Sequence, residues 1–286
     1  MQAELIQNRL EDVLLKLSND RHDEVEIKDD WIEKAVAEFR DALHRQLKPT
    51  EKRSFRLRMS NIGRPTCQLQ MEASGEKGKE KQYNHILRML FGDFTEIILM
   101  LVMKATDIPI TGSKKKVELN IGNYPISGED DVEIDKKVWD IKSASDWAYR
   151  NKWKKGFDGL LNDDPFGYLG QMIGYSIGSS RKMGGWIVME KSSGHISCID
   201  ASQDQKDYKE TIKLMRKNVE TIIKELPFER CFEPIAEIFN KKNTGRKILA
   251  KQCSMCDFRG SCWPSASYEP CAESKAANPR KHWYVD

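Results

Sequence analysis

The chain lacks a hydrophobic stretch long enough to cross a bilayer: its longest compact apolar run, residues 97–103, falls far short of the ~20 residues a spanning helix needs. The amino terminus, MQAELIQNRLED, lacks the basic-then-apolar order of a signal peptide. No GxxxxGK[ST] phosphate loop occurs, which excludes a helicase motor of that type. Strong charge of one sign is also absent. The formal net charge is +3 over 286 residues, so the placement of charge matters more than its sum. The cysteines are odd in number, seven, and with no export signal the expectation is an intracellular, cytoplasmic protein whose thiols are available for metal. The length is enough for one large core with appended pieces.

What is present centres on residues 124–145, YPISGEDDVEIDKKVWDIKSAS. Alternation along Lys137-Val138-Trp139-Asp140-Ile141-Lys142 sends Val138, Asp140 and Lys142 to one strand face and Trp139 and Ile141 to the other. If that face is enclosed, Asp130 or Asp131 on the preceding strand can meet Asp140 and Lys142 across the hairpin. Two carboxylates suit Mg²⁺ or Mn²⁺, and a nearby lysine suits a phosphate oxygen. The plainer reading is a solvated hairpin with an exposed Asp140–Lys142 pair, which contributes little to stability.

Helical spacing of apolar residues predicts helices over 3–17 and Asp29–Leu47, the second closed by Pro49, as an antiparallel pair that packs on the core or on a second subunit. A basic run follows: Arg45, Lys48, Lys52, Arg53, Arg56, Arg58 and Arg64. It reads as solvated surface or, beside a phosphodiesterase site, as a phosphate-contacting strip. The strongest helical pattern covers 83–105 and carries Asp93 and Glu96 on one face, with Glu96 at the margin of the apolar side. Strands are expected at 117–121, 124–134, 138–143, 185–191 and 195–200, and helices at 146–153, 165–177 and 205–226, with a loop at 154–164. The helix over 165–177 places Gln171 and Tyr175 at i and i+4. In 146–155, Trp147, Tyr149 and Trp153 interleave with Arg150, Lys152, Lys154 and Lys155, a pattern that serves either base stacking or ordinary packing.

Near the end of the chain, Cys253-Ser254-Met255-Cys256 is followed by Cys262. Thiolates at that spacing converge on one metal. A fourth ligand is needed, and Cys67, in the turn-rich Asn61-Ile62-Gly63-Arg64-Pro65-Thr66-Cys67, is preferred over Cys198 in an apolar strand, Cys231 after a helix end and Cys271 in a loose tail. Four thiolates suit Zn²⁺ or a [4Fe–4S] cluster, and spacing does not separate the two.

The order of these features, a helix carboxylate, Gly128-x-x-Asp131, Asp140-x-Lys142, Gln171-x-x-x-Tyr175 and a split cysteine set, resembles that of the iron–sulfur RecB-like nucleases of the PD-(D/E)xK superfamily. Among these are the CRISPR-adaptation RecB-like nucleases, the AddB nuclease domain and phage exonucleases. The resemblance covers about residues 61–264; the proline of the superfamily name is absent. It implies an α/β fold with a restriction-endonuclease-like core, its mixed, mostly antiparallel sheet flanked by helices. It also implies a helical extension over 1–60, a nuclease core over 61–250 and a cluster segment with tail over 251–286. By the same resemblance, Glu96, Asp131, Asp140 and the Ile141 carbonyl hold one or two Mg²⁺ or Mn²⁺ ions, Lys142 acts in catalysis, and Gln171 and Tyr175 brace the site and position DNA. Cys67, Cys253, Cys256 and Cys262 hold a [4Fe–4S] cluster, with Zn²⁺ as the alternative. The implied activity is a metal-dependent DNA exonuclease in recombination, repair or phage DNA processing, in a bacterial or phage-infected cell. Its partners are single-stranded DNA or duplex ends, with a second copy or a recombination partner at the N-terminal helices. The alternatives are a structure-specific or single-strand endonuclease, and a non-catalytic DNA-binding module with structural zinc.

Overall fold

The computed structural model describes residues 1–48, 54–202 and 204–285. The chain divides into two compact units at places other than residues 60 and 250. One comprises residues 1–63 and 82–216, the other 64–81 and 217–286.

The first unit is built on a five-stranded sheet in the order β1-β4-β5-β6-β7, comprising β1 (Ile110–Ser113), β4 (Val132–Ile134), β5 (Lys137–Ala144), β6 (Lys182–Glu190) and β7 (Ile196–Asp200). Only β5 and β6 pair in parallel; the other neighbours are antiparallel. The fold is therefore α/β with a mixed, mostly antiparallel sheet. A separate two-stranded ribbon joins β2 (Lys116–Ile121) to β3 (Tyr124–Glu129). The single strand expected over 124–134 is thus two strands in two sheets, broken at Asp130-Asp131. At the break the buried Asp130 carboxylate substitutes for a main-chain acceptor: its Oδ1 accepts the Lys115 N–H at 2.8 Å, while its own N–H donates to the Lys115 carbonyl at 3.0 Å.

Helix α1 (Ala3–Ser18) presents Ala3, Ile6, Leu10 and Val13 to a core shared with Val132, Ile134, Trp139, Ile141 and Ile187 of the sheet and with Leu99 and Met103 of α4 (His85–Lys104). Burial of this apolar face stabilises the helix more than propensity does. Helix α2 (Asp29–Leu47) packs on α4 instead, through Ala35, Phe39 and Ala42 against Phe94, Ile97 and Leu101, with the Phe39 and Phe94 rings 4.8 Å apart. The expected helix pair is therefore corrected: α1 packs chiefly on the sheet and α2 on α4. Ile32, Val36, Leu43 and Leu47 of α2 remain exposed. Pro49, Lys52 and Arg53 lie outside the described residues.

Beyond β5, α5 (Asp146–Asn151) is capped by the Ser145 hydroxyl, which accepts the Ala148 N–H at 3.3 Å. The expected loop over 154–164 contains α6 (Gly156–Asn162), and α7 (Tyr168–Ser179) carries Gln171 and Tyr175. Tyr149 and Trp153 are buried, Tyr149 donating to the Ile196 carbonyl and Trp153 packing on Tyr168 and Trp186. Of the three aromatics considered for base stacking, only Trp147 is exposed.

The second unit holds α3 (Thr66–Ala73), the later part of α8 (Gln205–Ile223), and a sheet ordered β10-β11-β9-β8, with β8 (Ile235–Phe239), β9 (Lys242–Ile248), β10 (Ser267–Pro270) and β11 (Lys281–Val285). Short helices α9 (Lys251–Ser254) and α10 (Arg259–Cys262) lie between β9 and β10. The Thr66 hydroxyl bonds Asn218 Oδ1 at 2.6 Å, and Asn218 Nδ2 donates to the Arg64 carbonyl, tying the two distant segments together. Cys271 is buried, its N–H donating to the Arg280 carbonyl, and is not in a loose tail.

Candidate functional site

Strand β5 is the central strand of the first unit, and Val138, Trp139, Asp140 and Ile141 are all buried. The solvated-hairpin reading is thereby overturned: Asp140 is 2% exposed. Lys142 Nζ stands 2.6 Å from Asp140 Oδ2 and 5.3 Å from the centre of the Tyr168 ring. Across the β4–β5 hairpin, Asp131 Oδ2 accepts the Ile141 N–H at 2.7 Å. The two adjacent aspartates do different work. Asp130 turns to Lys115 and to Arg181, 3.9 Å away, whereas Asp131 faces Asp140 and Glu96 closely enough to raise both.

Glu96 comes from α4. Its partner on the helix, Asp93, is taken up by Arg45 at 3.0 Å and Gln46 at 2.9 Å, while Glu96 meets Lys114 at 3.4 Å, which also holds Glu38 at 2.7 Å. Burial, reinforced by the Asp131 charge, pushes Glu96 up to about 7. Burial likewise pushes Asp140 up to about 7, with Lys142 opposing and Asp131 reinforcing the shift. Burial alone would lower Lys142, but the Asp140 and Asp131 carboxylates hold it above its ordinary value.

Tyr175 is buried and donates to the Glu129 carbonyl at 2.6 Å; burial raises its phenol to about 12, with Gln171 one turn earlier opposing the shift. That bond fixes the backbone two residues before Asp131. The approach depends on Gly128: a Cβ there would stand 2.7 Å from Met59 Cβ and 2.9 Å from the Tyr175 ring.

Among the described residues no three His, Cys, Asp or Glu side chains form a ready metal-binding group. The carboxylates are each engaged: Asp140 by Lys142, Asp131 by the Ile141 amide, Glu96 by Lys114. Their chemistry nevertheless fits a hard divalent ion, since all are oxygen donors. Asp140 Oδ1 is moreover sealed from solvent with no hydrogen-bond partner.

In the second unit, Cys67, Cys253, Cys256 and Cys262 line one pocket with Gln68, Phe232 and Trp263. No disulfide joins any of the cysteines. Burial pushes Cys253 up to about 11. Sequence reasoning passed over Cys231, which lies outside any ligand spacing. Its sulfur accepts the Cys67 N–H at 3.1 Å, and the two thiols share a hydrogen bond that lowers Cys231 to about 6 and raises Cys67. Cys198 belongs to the first unit, half-buried on β7.

The expected basic strip is not one feature. Arg45 pairs with Asp93 and Arg64 with Glu72 at 3.1 Å, whereas Arg56 and Arg58 lie with Ser127, Gly128 and Glu129 of β3 along one cleft.

No protein-family model matches the chain, and no curated protein matches it. Among solved structures, the crystal structure of SSO0001 is similar over 78% of this chain and 92% of its own, at 15% identity and a TM-score of 0.39. A likeness at that level assigns neither fold nor function. No helix among the described residues is long and apolar enough to cross a membrane.

Proposed function

We propose that this protein is a divalent-metal-dependent DNA nuclease, an exonuclease of the RecB-like branch of the PD-(D/E)xK superfamily, working in recombination, repair or phage DNA processing. The observation that supports it best is the burial of Asp140 beside Lys142 in the central strand of a mixed sheet, with Asp131 across the hairpin and Glu96 on α4 close enough for the carboxylate charges to act on one another. Burying a carboxylate is costly unless it is paired and hydrogen-bonded, so a cluster of them that is retained points to binding or catalysis. Asp131, Asp140, Glu96 and the Ile141 carbonyl would hold Mg²⁺ or Mn²⁺, which when bound polarises the scissile phosphate and lowers the pKa of an attacking water. Lys142, oriented by Asp140 and the Tyr168 ring, stabilises negative charge developing on the phosphate. Tyr175 holds the Glu129 backbone and so the position of Asp131, with Gln171 beside it on α7 as the second bracing residue of the resemblance.

Cys67, Cys253, Cys256 and Cys262 would hold a [4Fe–4S] cluster in the second unit, in keeping with the resemblance. Its role there is structural, because hydrolysis moves no electrons.

Digestion of end-labelled single- and double-stranded DNA with Mg²⁺ or Mn²⁺ tests the reading. Asp140→Ala is expected to lower cleavage by at least 10²-fold while DNA binding persists. Wild-type turnover in that variant at saturating metal would reject the active site.

A further inference from the structure

Beside the carboxylates the first unit has an open cleft of about 440 Å³. Its size lies within the range of small-ligand sites. One wall is the β2–β3 ribbon, where Lys116 pairs in register with Glu129 and Ser127 alternates onto the same face. The other wall is the segment that carries Arg56, Arg58 and Ser60, held along β3 by the Met59 N–H donating to the Ser127 carbonyl at 3.2 Å. Asn61 fixes that segment: its Nδ2 donates to the Arg56 carbonyl at 3.1 Å and its Oδ1 accepts the Arg58 N–H at 2.8 Å. Tyr175 closes the inner end and is the ring that also feels the Asp131 and Asp140 charges. Arg56 and Lys116 are exposed and face the cleft from its two walls, with Glu129 as the lining carboxylate.

We infer that this cleft is a phosphate subsite for single-stranded nucleic acid, holding the sugar–phosphate chain next to the carboxylates. The inference rests on the nuclease reading for its substrate. Cations from two walls, with Ser60 and Ser127 hydroxyls between them, match a chain of phosphates that threads a groove. A cleft of about 440 Å³ suits the phosphates of a short, flexible strand better than a paired helix. Arg56 and Lys116 supply charge, and Asn61 is a positioning residue.

The test is equilibrium binding of a fluorescent oligothymidylate, followed by anisotropy across a NaCl series, in chelator and without divalent ions. The protein is the full-length Asp140→Ala chain, with and without Arg56→Ala and Lys116→Ala together. The double change is expected to weaken binding about tenfold and to flatten the slope of log K against log [salt] by about 1.4, two contacts at ~0.7 each. A blunt duplex should lose less than threefold. Unchanged thermal unfolding midpoints establish that the variants fold, and Arg56→Glu alone serves as the second probe should the double variant fail to fold. An unchanged affinity and slope for the oligonucleotide overturns the cleft as a phosphate site. Equal losses on oligonucleotide and duplex overturn the single-strand assignment. Because no turnover is read, the nuclease reading fails separately: wild-type protein without metal-dependent cleavage, together with cleft variants that still lose oligonucleotide affinity, would leave the subsite standing alone.

Discussion

Asp140 and Lys142 are a buried pair in which each member makes the other tolerable. The carboxylate is sealed in the sheet, and the ammonium 2.6 Å away offsets its lost hydration. Removing only the lysine leaves an uncompensated acid. Lys142→Met should therefore destabilise the first unit by about 3–5 kcal/mol as well as abolish cleavage, whereas Lys142→Met combined with Asp140→Asn should recover most of that loss. Urea denaturation of the two single variants and the double variant reads the coupling. Additive losses would mean that the pair is not interacting. The alternation of the strand placed Asp140 and Lys142 side by side, but burial was not legible, since Trp139 and Ile141 on the opposite face fit an edge strand as well as a central one. Cys231 was illegible for another reason: its neighbour, Cys67, is far away in sequence and brought near only by tertiary structure.

At the scale of elements, the β6–β7 hairpin shows how one side chain organises a turn. Glu190 accepts from the Ser192 N–H at 3.0 Å, the Ser192 hydroxyl at 2.7 Å and the Ser193 N–H at 2.7 Å. Those bonds, the Ser193 and Ser192 contributions foremost, lower its carboxyl to about 2. The folded value is depressed, so the stabilisation is fully present above the ordinary carboxylate range and is lost as pH falls from about 4.5 through 2. Glu190→Gln should unfold about 2–4 °C lower at pH 7, with the gap narrowing from about pH 4.5 and closing only below pH 2; a gap that does not shrink between pH 5 and pH 2 would show that the effect is not the carboxylate's charge. Helices were read well where apolar spacing was regular, as over Asp29–Leu47. The ribbon and main sheet were merged because alternation continues through Asp130-Asp131, and only the opposite engagements of those two carboxylates break it. Helix α6 was missed because Gly156 and Gly159 read as turn residues. Gly159 is needed in the helix itself, since a Cβ there would stand 2.2 Å from the Lys152 carbonyl.

At the scale of the molecule, the second unit is assembled from segments separated by the whole of residues 82–216. The proposed metal centre, shared by Cys67 with Cys253, Cys256 and Cys262, would close a loop of roughly 190 residues, worth about 5 kcal/mol in the chain-entropy account. Cys253→Ala should remove iron and acid-labile sulfide from anaerobically purified protein and speed amide exchange in α3 and β8–β11 before the five-stranded sheet. Cys231→Ala, outside the pocket lining, should keep both. Zinc without sulfide in the anaerobic wild type would reject the cluster.

The break between ribbon and sheet also sets a distance. From Glu129, at the cleft, to Asp131, at the carboxylates, the chain advances two residues, at most about 7 Å. On the proposed reading, a phosphate gripped by the cleft would lie close to the carboxylates along the strand. Cleft and carboxylates would then be held at a fixed spacing by the same short piece of backbone.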